Sequence, residues 1–126
     1  MKITNSRTIV MFFAVALATP FAASAGEIVA AFSRFVVTPG QEAAFEARVL
    51  RTAEFLRKAE TDMTFHAHRS KKDPQVFVVY ESWPSLAAYE HYRTVVRPAR
   101  VKEFGPMPTG MLVKPPEAEL FSRLTD

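Results

Sequence analysis

Residues 76–83 read VFVVYESW, a β-rich octapeptide stopped by Pro84. Side chains alternate across a strand, so Val76, Val78 and Tyr80 point one way and Phe77, Val79 and Trp83 the other. Both faces of this strand are therefore apolar, and both need a cover. That requirement limits the chain to layered folds in which a central strand is packed on two sides. Helices of the same chain can cover one face. The other would leave a large apolar patch in water unless something else packs on it.

The segments around this strand supply the helices and the remaining strands. EIVAAFSRFVV (27–37) is a second apolar strand, ended by the turn residues Thr38-Pro39-Gly40. QEAAFEARVLRTAEFLRKAE (41–60) lacks Gly and Pro. It repeats Phe45, Val49, Ala53 and Leu56 at helical spacing. DMTFHAHRS (62–70) alternates and reads as a polar strand, joined to 76–83 by the turn KKDPQ. Ser85 is placed to cap a helix through LAAYEHYRTVV. Pro98 suits the first turn of a further short helix, PARVKEF, closed by Gly105 and Pro106. After a loop at 105–116, EAELFSRL (117–124) is the last strand.

The predicted order is β-α-β-β-α-β, an α+β ferredoxin-like arrangement with an antiparallel sheet. The two apolar strands sit in the middle, and the histidine-bearing strand sits at an edge. A second copy of the chain, packed sheet against sheet about a two-fold axis, is the economical cover for the free face. The alternative cover is the 105–116 loop.

The N-terminus has its own signature. MKITNSR is basic, TIVMFFAVALAT is apolar, and a small-x-small site ends at Ala25. This is the pattern of a secretory signal peptide over residues 1–25, with a domain at 26–126 and a secreted or periplasmic product. The apolar run is shorter than the roughly 20 residues of a membrane span, so no anchor is expected after cleavage. No cysteine follows the cut, and no Arg-Arg pair precedes the run, which argues against lipoprotein and twin-arginine routes. The whole chain carries 16 Lys and Arg against 13 Asp and Glu. Loss of Lys2 and Arg7 lowers the formal charge from +3 to +1, which removes the electrostatic case for nucleic acid. The strand VFVVYESW also lacks the Gly and basic residues of an RNA-binding sheet. Without cysteine there are no disulfides, Fe–S clusters or thiolate metal sites.

The ordered stretch VVTPGQEAAFEA…HRSKKDPQVFVVYESWPSLAAYEHY resembles the antibiotic biosynthesis monooxygenase (ABM) domain. The shared features are PG-x-E before the first helix, RS-x-x-DP-x-x-F through the hairpin and Y-E-x-W at the end of the third strand. A histidine follows in the next helix. The resemblance covers about 27–124 and implies a dimeric α+β barrel. It implies cofactor-independent oxidation of phenols or hydroquinones, or else haem binding and degradation. The haem-degrading pattern is matched poorly. Residues 27–37 contain no asparagine, and Trp83 stands eight residues from His91. Val96 occupies the place where many relatives carry a second histidine.

The candidate chemistry centres on His66 and His68. They share one strand face with Cβ atoms roughly 6.8 Å apart. Pairing of Ser70 with Val76 sets His68 beside Val78 and His66 beside Tyr80; a one-residue slip moves them to Phe77 and Val79. They read as edge-strand polar residues, as pocket residues, or, with His91, as ligands for a divalent metal. The resemblance favours a pocket role for His91. On that reading His91 or His68 is the base, Tyr80 contacts the reacting phenol, and His66, Trp83, Tyr89 and Arg69 hold the substrate. Arg69, Arg93, Arg97 and Arg100 could hold an anionic substrate or form a solvated face. Met107 and Met111 read as lid or packing residues, with copper ligation the alternative. The expected reactants are a small aromatic and O2, with no cofactor, in a homodimer; the alternatives are a haem-binding or haem-degrading protein and a non-catalytic dimeric ligand-binding module.

Overall fold

The computed structural model describes residues 27–59 and 61–125. The signal-peptide segment lies outside the described residues. No helix among the described residues is long and apolar enough to cross a membrane.

Four strands form one antiparallel sheet in the order β2-β3-β1-β4. They are β1 (Val29–Val36), β2 (Thr64–Arg69), β3 (Val76–Trp83) and β4 (Glu117–Ser122). Between β1 and β2 runs α1 (Glu42–Lys58). Between β3 and β4 run α2 (Leu86–His91), a π-helical turn (Tyr92–Val96) and α3 (Arg97–Phe104). The apolar strands β1 and β3 are central and pair with each other, Phe32 opposite Tyr80 and Phe35 opposite Phe77. The fold is ferredoxin-like, as the pattern predicts, and within one chain the sheet is open at both edges.

Local chemistry sets the boundaries. Gly40 takes φ +89° in the turn ahead of α1, a conformation that disfavours a β-carbon. Its N–H donates to the Glu42 carboxylate at 2.8 Å, which seats an acid in the first helical turn. Arg57 and Lys58 occupy the last turn, where cations complement the helix dipole. On α1 the buried positions are Phe45, Thr52 and Leu56, with Val49 packed beside them. Thr52 therefore faces inward beside Ala53, and its Oγ1 donates back to the Arg48 carbonyl at 3.0 Å. That bond satisfies the hydroxyl without an outside partner.

The two helices expected after Ser85 are instead joined through a change of helical register at Tyr92–Val96. Ser85 does cap α2, accepting from the Ala88 N–H at 3.1 Å. The chain then widens into the π turn, where the Arg97 N–H reaches the Tyr92 carbonyl five residues back. Pro98 supplies the cause. It has no N–H to offer the Thr94 carbonyl four residues earlier, and its ring would collide with that carbonyl in a regular α-helix. Gly105, at φ +75°, closes α3 and bonds back to the Val101 carbonyl.

Helices and loop all pack on one face of the sheet. One core cluster joins Ala31, Leu56, Trp83, Tyr92 and Val96; the other joins Val37, Phe45, Phe77 and Met111. The 105–116 loop belongs to this side, through Met111 and a Val37–Leu112 bridge. It does not cover the opposite face. There Phe32 and Phe121 remain 44% and 41% exposed.

Candidate active site

The β2–β3 register is the first of the two considered: His66 pairs with Tyr80, His68 with Val78, and the Ser70 N–H donates to Val76. His66 and His68 rings lie 6.4 Å apart, and His66 stacks on Tyr80 at 6.4 Å and 15°. The row continues across the sheet through Phe32, 4.9 Å from Tyr80, to Phe121, 5.2 Å farther on. All these side chains share the open face, away from the helices. Within one chain they form an aromatic row, not a pocket.

The pocket lies on the other side. A cavity of about 540 Å³ opens between the helix-covered face of the sheet, α1, α3 and the 105–116 loop. Its apolar wall includes Phe35, Phe45, Phe65, Val79, Trp83 and Tyr89. Leu112 and Met107 close the loop side. Of the residues proposed from sequence, Trp83, Tyr89, Arg97, Arg100 and Met107 line this space. His66, His68, Tyr80, Arg69 and His91 do not.

Trp83 is 2% exposed, with its ring centroid 4.9 Å from Tyr89 and 5.1 Å from Tyr92. Its indole Nε1 is buried without an acceptor, an unspent donor in the wall. His91 is exposed on α2. Arg69 lies over the Phe77 ring, donates from Nε to the Pro74 carbonyl at 2.9 Å, and approaches Glu46 at 3.5 Å. It braces the hairpin outside the cavity.

Two polar residues dominate the cavity and were not singled out from sequence. Glu81 shares its strand face with Val79 and Trp83, and its carboxylate accepts a hydrogen bond from the Tyr92 hydroxyl at 3.1 Å. Burial raises the Glu81 carboxyl above its ordinary range, against the opposing pull of the Tyr92 bond and the positive fields of Arg100 and Arg97. Burial, reinforced by the neighbouring Glu81 charge, pushes the Tyr92 phenol up to about 12. Tyr92 is thus a neutral donor at physiological pH. Glu81 is the side chain placed to exchange a proton.

Three arginines stand around this pair: Arg48, Arg97 and Arg100 all line the cavity. Arg48 donates to the Gly105 carbonyl at 2.7 Å, tying α1 to the end of α3. Burial, then the neighbouring charges of Arg100 and Arg51, lowers the Arg48 pKa. Arg93, by contrast, turns outward onto Glu90 at 2.8 Å. No cluster of three or more His, Cys, Asp or Glu side chains suited to a metal ion occurs among the described residues.

Comparison with known proteins accords with this fold. The family model described as antibiotic biosynthesis monooxygenase matches residues 11–95. No curated protein matches the chain. Among solved structures, a candidate antibiotic biosynthesis monooxygenase from Caulobacter crescentus is 22% identical at a TM-score of 0.65, over 80% of this chain and 93% of that one. A Nitrosomonas europaea protein of unknown function is 27% identical at a TM-score of 0.56, over 81% and 94%. The Pseudomonas aeruginosa protein PA3566 is 24% identical at 0.57, over 80% and 98%. The chain belongs to the antibiotic biosynthesis monooxygenase family.

Proposed function

We propose that this protein is an exported, cofactor-independent monooxygenase that oxidises a small phenol or hydroquinone in the cavity beneath α1 and α3. The observation that carries the reading is the Glu81–Tyr92 pair inside an aromatic-walled space. A carboxylate raised by burial is a stronger base than one in water, and Tyr92 orients it. Glu81 takes the phenolic proton in the role first considered for His91 or His68. Arg97 and Arg100 favour the phenolate that results. Trp83 and Tyr89 flank the ring.

The phenolate passes one electron to O2, and the resulting radical pair is held together by the dry wall. Superoxide joins a ring carbon through a new C–O bond. The peroxide O–O bond then breaks as that carbon loses its hydrogen, giving a quinone carbonyl and water. The substrate loses two hydrogens and gains one oxygen; the second oxygen leaves with those hydrogens. No outside reductant is needed.

A second copy of the chain is the proposed cover for the open face. Phe32, Tyr80 and Phe121 form an apolar row there that one chain leaves wet, and His66 and His68 would flank it at the interface.

Oxygen uptake with a panel of quinols tests the enzyme reading. Glu81→Gln keeps the shape and removes the base, so uptake should fall by about 10²-fold or more. Unchanged uptake in Glu81→Gln, or no uptake by the folded wild type across the panel, would refute it. Binding without turnover would leave a ligand-binding module.

A further inference from the structure

The cavity's charge is uneven. Arg48, Arg97 and Arg100 line it, and among described residues none is ion-paired within salt-bridge distance. The facing carboxylate is Glu81. Glu119 also borders the space, but it pairs with Phe32, whose side chain lies on the open face, so its carboxylate points the same way. Three guanidiniums therefore meet one carboxylate. The surplus stays positive whether or not Glu81 is ionised.

The arginines also come from separate elements that converge. Arg48 is on α1 and is fixed by its bond to Gly105. Arg97 and Arg100 are on α3, just beyond the π turn. Both lie past residue 95, where the family match ends. Arg100 lines the same cavity as Glu81 and Arg48, and its field reaches both. Like charges gathered beside an apolar wall repel one another, and an anion relieves that repulsion.

We infer that the cavity takes an aromatic carboxylic acid, its ring against Trp83 and Tyr89 and its carboxylate on Arg97 and Arg100, with Arg48 behind them. The inference rests on the proposed use of this cavity and narrows its substrate to a phenolic acid. A planar carboxylate matches the guanidinium fork, and such bonds are roughly twice as strong as neutral ones.

Binding tests this apart from turnover. The probes are 4-hydroxybenzoate and its neutral amide, titrated into the purified protein while following fluorescence of Trp83, the single tryptophan. The acid should bind roughly tenfold or more tighter than the amide, with an advantage that shrinks as salt rises. Arg100→Gln and Arg97→Gln should each erase most of that advantage. Lys71→Gln removes an equal charge from the distant hairpin turn and should leave it intact. Equal affinity for acid and amide overturns the inference, as does a Lys71→Gln loss matching that of Arg100→Gln. Oxidation of neutral quinols without preference for the acid would sink this inference while sparing the enzyme reading. Tight binding of the acid with no oxygen uptake would do the reverse.

Discussion

Removing the Tyr92 hydroxyl should destabilise the protein by an amount that depends on pH. The bond to Glu81 is 3.1 Å long, and Tyr92 is 6% exposed. A buried hydrogen bond to a charged acceptor contributes roughly 1.5–3 kcal/mol, a neutral one roughly 0.5–1.5. Burial raises the folded-state pKa of Glu81 above its ordinary 4.5. Its contribution to stability is thus complete below the unfolded value and is lost as pH rises through the folded one. The Tyr92 bond opposes that loss, because it favours the ionised form. Tyr92→Phe should therefore cost about 1 kcal/mol below the ordinary carboxylate value, where Glu81 is protonated, and about 2 kcal/mol once pH has risen through its raised folded value, where it is ionised. The extra 1 kcal/mol is about fivefold in the folding equilibrium. Urea unfolding followed by Trp83 fluorescence, with wild type measured at each pH, reads both values. In Glu81→Gln the added Tyr92→Phe change should cost the same at both pH values. Equal costs in the wild-type background, or a larger cost at the lower pH, would refute the claim that Glu81 carries its charge against burial.

Other outcomes are expected from the packing. Phe45 is 1% exposed and touches Phe35 and Phe77 at ring distances of 5.2 and 4.9 Å, so Phe45→Ala should lose about 3–5 kcal/mol in the same urea assay. Gly105→Ala has open space for its Cβ but must hold φ +75°; a loss of about 1–2 kcal/mol with an unchanged cavity would follow from backbone strain alone. Phe32→Asp places a charge in the middle of the open aromatic row. If two copies meet there, it should weaken the dimer by about 10²-fold or more in sedimentation equilibrium, while far-ultraviolet circular dichroism stays unchanged.

The layout of strands and helices was legible because each element carries its own period and stop signal. β3 spans the residues its pattern marks, 76–83. The β2 register was open between two alternatives one residue apart, and the structure selects the one that Ser70 and Val76 close. The loop at 105–116 was harder. Its Met111 is buried against Val37, Phe45 and Phe77, a contact made across the sequence that no local pattern announces. The π turn was missed although Pro98 was visible. A proline at a helix start looks the same whether the preceding helix stops or continues through a widened turn.

The position of the cavity turned on one side chain. Reading β3 by alternation set Phe77, Val79 and Trp83 on one face without choosing which face the helices cover; the structure places that set under the helices, and its fourth member is Glu81. A carboxylate on an otherwise apolar face must find a partner or leave the core. That demand was present in YESW, but which face the helices cover was not, so the carboxylate's place beneath them came only with the structure. What it could not name was the partner. Tyr92 reaches Glu81 only because α2 ends at His91 and the π turn presents Tyr92 and Val96 to the sheet. The histidines drew attention because His is the residue most often used near neutral pH. Parity alone put them with Tyr80 and Phe32, on the side that the helices leave uncovered. An acid stranded among apolar neighbours was the better guide to the chemistry, because burying it has a cost that only a built environment can offset.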